Sequence, residues 1–186
     1  MKRLFDILLA LLAIVVLVVP MVLVGAAVRL TSRGPAFYWS SRVGKYNILF
    51  SMPKFRTMHT HTPAVATHLL ANPQSYLTPI GSFLRKTSLD ELPQLWNILK
   101  GDMSWVGPRP ALYNQSDLIA QRTIHGVHTL VPGLTGWAQI NGRDEIPIPE
   151  KVKLDVFYLT HQSILMDIKI ILLTALKVLR REDVTH

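Results

Sequence analysis

ILLALLAIVVLVVPMVLVGAAV, residues 7–28, carries no charged side chain, and it is bracketed by Lys2 and Arg3 on one side and by Arg29 and Arg33 on the other. A helix needs about 20 apolar residues to cross the ~30 Å hydrocarbon of a bilayer, so the stretch is long enough to span. Pro20 lies near its middle. The proline ring removes one backbone donor and collides with the preceding turn, which predicts a kink or break at Val19 and Pro20. Lys and Arg beside a membrane segment favour the cytoplasmic side, and here both flanks are basic. A straight span satisfies only one of them. A helix that enters, bends at Pro20 and leaves through the same leaflet satisfies both. Residues 1–33 are therefore read as a re-entrant membrane helix, with a straight span and a cleaved signal peptide as the alternatives. The signal-peptide reading rests on Lys2, Arg3 and the small Gly25 and Ala27, but the apolar run is longer than a usual signal core.

Outside this segment, 186 residues suffice for one further domain with a core of its own, residues 34–186. The chain is 49% hydrophobic yet carries 20 Lys and Arg against 12 Asp and Glu, a formal charge of +8. Such a balance suits anionic lipid headgroups and nucleic acid alike. The basic residues are dispersed rather than striped along one helix, which argues against nucleic acid. With no cysteine, a disulfide framework, a Cys-ligated zinc and a thiol nucleophile are all excluded.

The fold class expected is α+β, mainly helical. After Gly34-Pro35, the aromatic and branched runs 36–43 and 46–52 flank Gly44-Lys45 and predict a small β-hairpin with a two-residue type II′ turn. Residues 59–79, with Pro63, Pro73 and Pro79, read as a mobile loop or lid with a short helical patch at 64–71. From Ile80 to Leu99 the pattern turns helical, interrupted at Ser88 to Pro93 and ended by Gly101-Asp102. A further helix is expected over 115–122, and 131–149 is rich in Pro and Gly and reads as loop. The C-terminal segment sets Ile164, Leu165, Ile168, Ile171, Leu172, Ala175, Leu176 and Leu179 on one face, an amphipathic helix that either packs on the core or lies at a membrane surface.

The candidate chemistry is concentrated in FLRKTSLDELPQLWNILKGDMSWVGPRP, residues 83–110. Pro93 is tolerated only in the first turn of a helix, so Asp90 and Glu91 must lie at or before a helix N-terminus, where amide groups and the helix dipole favour anions. A carboxylate held there stays ionised, as a nucleophile must. Arg85, Arg109 between its two prolines, and Lys54 and Arg56 from Lys54-Phe55-Arg56 supply cations that could neutralise a phosphate. The rival reading is a capping box of Ser88 and Glu91, which would make Glu91 structural. His59 with His61, and His125 with His128, have no carboxylates at ligand spacing and are not read as a metal site. Trp96, Trp105 and Trp137 read as core or interface anchors, and Asp144-Glu145 as an exposed turn.

SRGPAF (32–37), KFRTM (54–58), the 83–110 segment and PGLTGWAQINGR (132–143), with KRLFDILLALL at the start, together resemble the bacterial sugar transferase family, the monotopic phosphoglycosyltransferases. The resemblance runs through nearly the whole chain in order, and it is to the family's minimal catalytic form, without extra membrane helices or a sensor-like domain. It implies that Asp90 attacks the β-phosphate of a UDP-sugar, releases UMP and holds a phosphosugar that a polyprenyl phosphate such as undecaprenyl phosphate then takes. It implies Mg²⁺ at Asp90 and Glu91, phosphate or nucleotide contacts from Lys54, Arg85 and Arg109, and a membrane helix bent where Val19-Pro20 stands, although the family carries Ser before that proline. A place on the cytoplasmic face of a bacterial inner membrane, in contact with membrane lipids, follows, and the family admits a homo-oligomer. A catalytically idle scaffold or nucleotide-sugar sensor on the same fold is the alternative in another class.

Overall fold

The computed structural model describes residues 1–63, 70, 72–142 and 146–180. Helix α1 runs from Lys2 to Thr31 with Pro20 inside it. No break interrupts the helix at Val19 and Pro20, because one lost donor is a small fraction of a 30-residue helix and Leu17 and Met21, on either side of the proline, pack on the domain.

The helix touches the domain along its length. Ala10 is buried with Met52, Leu95, Ile98 and Met103, and Ala13, Ile14 and Leu17 pack against that cluster. Farther on, Met21 and Val24 pack against Val28, Phe55 and Leu84. These positions recur with the helical period and form one face. The outer face presents Leu4, Leu8, Leu11, Leu12, Val15, Val16, Val18, Val19, Val22 and Leu23 to the surroundings. At about 1.5–3 kcal/mol per fully buried large apolar side chain, moving such a face into lipid is favourable by on the order of 10 kcal/mol.

Both ends of α1 are tied to the same domain. Lys2 Nζ pairs with Asp167 Oδ2 at 2.5 Å, and Arg3 donates to the carbonyls of Ile98 and Leu99. Asp6, which the apolar run conceals in the sequence, is buried and accepts from Ser104 Oγ at 3.0 Å and from the Trp105 amide at 3.2 Å. At the other end, Arg56 donates to the Ser32 hydroxyl at 2.9 Å and to Pro35 O at 2.7 Å.

Strands β1 (Phe37–Val43) and β2 (Leu49–Phe55) form the expected antiparallel hairpin, in register from Phe37 opposite Phe55 to Val43 opposite Leu49. The two-residue turn is wrong. Five residues, 44–48, make the connection, closed by Gly44 N donating to Ile48 O at 2.8 Å. The left-handed positions are Tyr46 and Asn47 rather than Gly44, and Asn is one of the few residues that takes that conformation readily.

Helix α2 (Gly81–Lys86), a 3₁₀ turn (Leu89–Gln94) and α3 (Leu95–Lys100) reproduce the interrupted helix, with left-handed Ser88 as the break and Gly101, at φ 102°, as the stop. Strand β3 (Ser104–Val106) then pairs in parallel with β4 (Gly133–Thr135). Strand β4 and α5 (Trp137–Asn141) replace part of the loop expected over 131–149. The glycines there serve close approach: a Cβ on Gly133 would lie 2.1 Å from Gly107 N, and one on Gly136 2.1 Å from Gly107 O.

Helix α4 (Ser116–Ile124) lies where expected, whereas α6 (Ile148–His161) was hidden by Pro147 and Pro149, which flank and open its first turn. Helix α7 (Ile164–Arg180) packs on the core, as one reading of its amphipathic pattern expects, and leaves a second side exposed. Asp167 and Ile170 face the core, Tyr158 donating to Asp167 at 2.6 Å. Leu165, Ile168, Leu172 and Leu176 are exposed as an apolar stripe. Residues 64–69, 71, 143–145 and 181–186 lie outside the described part, and with them the helical patch at 64–71, apart from Leu70, and the Asp144-Glu145 turn.

Candidate active site

The 3₁₀ turn 89–94 carries Asp90 and Glu91 against β2, which brings Lys54 to them, while α2 supplies Arg85 and the loop after β3 supplies Arg109. Glu91 is the hub of this cluster. Its Oε1 accepts from Lys54 Nζ at 2.7 Å and from an Arg109 Nη at 2.9 Å. No Ser88 side-chain cap forms, so the capping box is not how Glu91 is used. Burial acts to raise the Glu91 pKa but is outweighed by the charges and hydrogen bonds of Arg109 and Lys54, which hold it well below the usual carboxylate range.

Asp90 is in a different state although it is the adjacent residue. It is 6% exposed. Burial pushes its carboxyl up to about 6, with Glu91 acting in the same direction and Lys54, Arg85 and Arg109 pulling it back. Two neighbouring carboxylates thus differ by environment: Glu91 holds two cations through Oε1, and Asp90 is buried and still mostly ionised at neutral pH. Perturbation of this kind, from desolvation and specific charge partners, clusters at functional sites and makes the pair candidates. Arg85 is held by Thr57, its Nε donating to the hydroxyl at 3.0 Å, and its pKa is lowered by burial against the opposing pull of Asp90 and Glu91. Thr57 was not singled out in the sequence, although it stands within KFRTM.

Arg56 does not join this cluster. It is buried at the corner between α1 and β1, where its guanidinium is bonded to Ser32 and Pro35. Strand alternation would set Lys54 and Arg56, two residues apart, on one face, but β2 ends at Phe55, and Arg56, past the strand's end, turns instead to Ser32 and Pro35. Among the described residues no group of three or more His, Asp or Glu gathers as a metal site. His59 and His61 stack with ring centroids 5.6 Å apart, beside Tyr76. Trp96 is exposed, Trp105 donates through its ring nitrogen to Asp6 O, and Trp137 stacks on Phe157.

The family model for bacterial sugar transferases matches residues 1–181. The chain belongs to the bacterial sugar transferase family. An uncharacterized sugar transferase, EpsL, from Bacillus subtilis strain 168 is 41% identical over 184 residues, covering 99% of this chain and 90% of that protein. The UDP-glucose:undecaprenyl-phosphate glucose-1-phosphate transferase of Escherichia coli K12 is 40% identical over 186 residues, 95% of this chain and 40% of its own length. The undecaprenyl-phosphate galactose phosphotransferase of Salmonella typhimurium LT2 is 36% identical over 197 residues, 98% of this chain and 41% of that protein. This chain therefore spans well under half of these two larger sugar transferases.

Proposed function

We propose that this sugar transferase moves a sugar 1-phosphate from a UDP-sugar to a polyprenyl phosphate, undecaprenyl phosphate in bacteria, through a phosphosugar carried on Asp90. The observation that carries the reading is Asp90 itself, a buried carboxylate facing three cations beside a second carboxylate that orients two of them. An Asp90 carboxylate oxygen attacks the β-phosphorus, the bond from that phosphorus to the bridging oxygen breaks, and UMP leaves. An oxygen of the lipid phosphate then attacks the same phosphorus, and the Asp90 carboxylate departs unchanged. Each displacement passes through extra negative charge on phosphoryl oxygens, which Lys54, Arg85 and Arg109 stabilise where they stand. Splitting the transfer also lets a soluble nucleotide and a membrane lipid use one site in turn.

The donor chemistry fits Mg²⁺, which takes one or two carboxylates and completes its shell with water and substrate phosphate. Asp90 and Glu91 would hold it, and when bound it would screen the diphosphate charge. The direct test is UMP release from a panel of UDP-sugars by the purified protein in lipid, with an N-acetylated amino sugar as the first donor tried. A protein that binds UDP-sugar without releasing UMP would be a sensor instead.

The same proposal places residues 34–186 on the cytoplasmic face of the inner membrane, with α1 as a re-entrant element. The contacts of both α1 ends with one domain support this, as do its apolar outer face and the exposed stripe of α7. The chain has no native cysteine, so topology is open to labelling. A single cysteine inserted after Met1 is expected to resist an impermeant thiol reagent added from the periplasmic side. Labelling from that side would show that α1 crosses the membrane. Pro20→Ala, which restores a backbone donor, is expected to raise the spanning fraction and lower activity.

A further inference from the structure

We propose that Arg122, paired with Asp155, is a positioning residue that sets the Arg109 guanidinium at the reaction centre. The inference rests on the reading of Arg109 as a phosphate contact in the proposed reaction. Arg109 lies in a segment that the backbone alone holds poorly, since Pro108 and Pro110 have no N–H to donate. The segment is gripped instead by its carbonyls. Pro108 O accepts from Gly133 N at 3.0 Å, Arg109 O from Arg122 Nη1 at 2.8 Å, Pro110 O from Arg42 Nη1 at 3.2 Å, and Ala111 O from Val43 N at 2.9 Å.

Among these four the grip on Arg109 is distinctive. It comes from a buried charged side chain, 8% exposed, whose Nε and Nη2 both donate to Asp155 Oδ2, at 2.9 and 2.7 Å. Asp155 is itself 2% exposed. A fork of this kind leaves Arg122 one orientation, with Nη1 directed at the Arg109 carbonyl. The result is a chain of fixed groups running from Asp155 on α6 through Arg122 on α4 and the Arg109 backbone to the Arg109 side chain, which ends on Glu91 beside Asp90. Arg122 and Asp155 touch no group that reacts. Their effect on the reaction passes through where Arg109 stands, and a displacement of about 1 Å at a positioned group costs on the order of 100-fold in rate.

Lysine keeps the charge of Arg122 but cannot hold Asp155 and the Arg109 carbonyl in one planar fork. In the full-length protein in lipid, Arg122→Lys is expected to lower kcat/KM for UMP release by about tenfold or more. Because it acts through Arg109, the double variant Arg109→Ala, Arg122→Lys should be no slower than Arg109→Ala alone. Multiplying losses, or full activity of Arg122→Lys, would overturn the proposal. Should Arg122→Lys fail to fold, Asp155→Asn, which keeps the shape and removes the charge, takes its place in the same cycle, with the same outcomes for and against. Hydrogen exchange supplies an arm independent of the reaction. Peptides covering 104–114 should exchange faster in the variant while α1 and the hairpin do not change, and unchanged exchange there would refute the positioning role. A parent protein that releases no UMP would overturn the proposed function and leave the exchange result to judge the positioning by itself.

Discussion

Asp90→Asn is expected to abolish UMP release and, with it, any phosphosugar adduct on the intact protein seen by mass spectrometry. The amide is nearly the same shape as the carboxyl but is a poor nucleophile, so the loss should reach the limit of detection. Stability should move the other way, which separates lost chemistry from lost fold. In the folded protein Asp90 titrates at about 6, against a reference value of 3.8. Its folded pKa is raised, so the fold prefers the protonated form, and the stability this group contributes is lost as pH rises from about 4 to about 6. Asn mimics the protonated carboxyl. At pH 7.5 the variant should therefore melt at the same temperature as the parent or higher, with a gain of up to about 3 kcal/mol. An adduct that persists in Asp90→Asn would move the nucleophile elsewhere, and a large fall in melting temperature would mean that the carboxylate is structural.

The legible parts of this protein were those set by local rules. Glycine at 101 stops a helix, proline at 93 requires a start, and the aromatic runs about Gly44 make a hairpin. The five residues that meet at the candidate site, Lys54, Arg85, Asp90, Glu91 and Arg109, were readable because four of them lie in one segment with unusual proline placement, and Lys54 stands in the short basic run Lys54-Phe55-Arg56. What stayed hidden depends on pairs far apart in the chain. Arg122 and Asp155 are 33 residues apart and each looks like an ordinary solvated charge on its own helix. Asp6 is 98 residues from Ser104 and looks like the edge of an apolar run. Arg56 stands with the phosphate cations by proximity in sequence to Lys54, whereas the end of β2 at Phe55 sends it to the α1 corner. The anchoring of α1 falls in the same class, because Pro20 and the basic flanks predict a bend, while the unbroken helix is held by contacts at both of its ends that are tertiary.

Replacing Glu91 separates the organiser from the nucleophile. In Glu91→Gln both Lys54 and Arg109 lose the carboxylate that orients them, and each charge-assisted bond is worth about 1.5–3 kcal/mol. The plateau rate should fall by about 100-fold or more. The pH profile carries the sharper information. In the parent, kcat/KM should fall about tenfold per pH unit below about 6, as Asp90 takes up its proton. The Glu91 charge is one of the causes that raise the Asp90 pKa, whereas Lys54 and Arg109 lower it. Removing Glu91 deletes the first influence and frees two cations to turn toward Asp90, so both changes make Asp90 more acidic. The acid limb should accordingly move to lower pH while the plateau drops, a combination that simple loss of stability does not produce. A capping role predicts otherwise: a lower melting temperature with the acid limb still near 6. An acid limb displaced upward would contradict the charge assignments at both carboxylates, because it would require Glu91 to have been holding Asp90 in its ionised form.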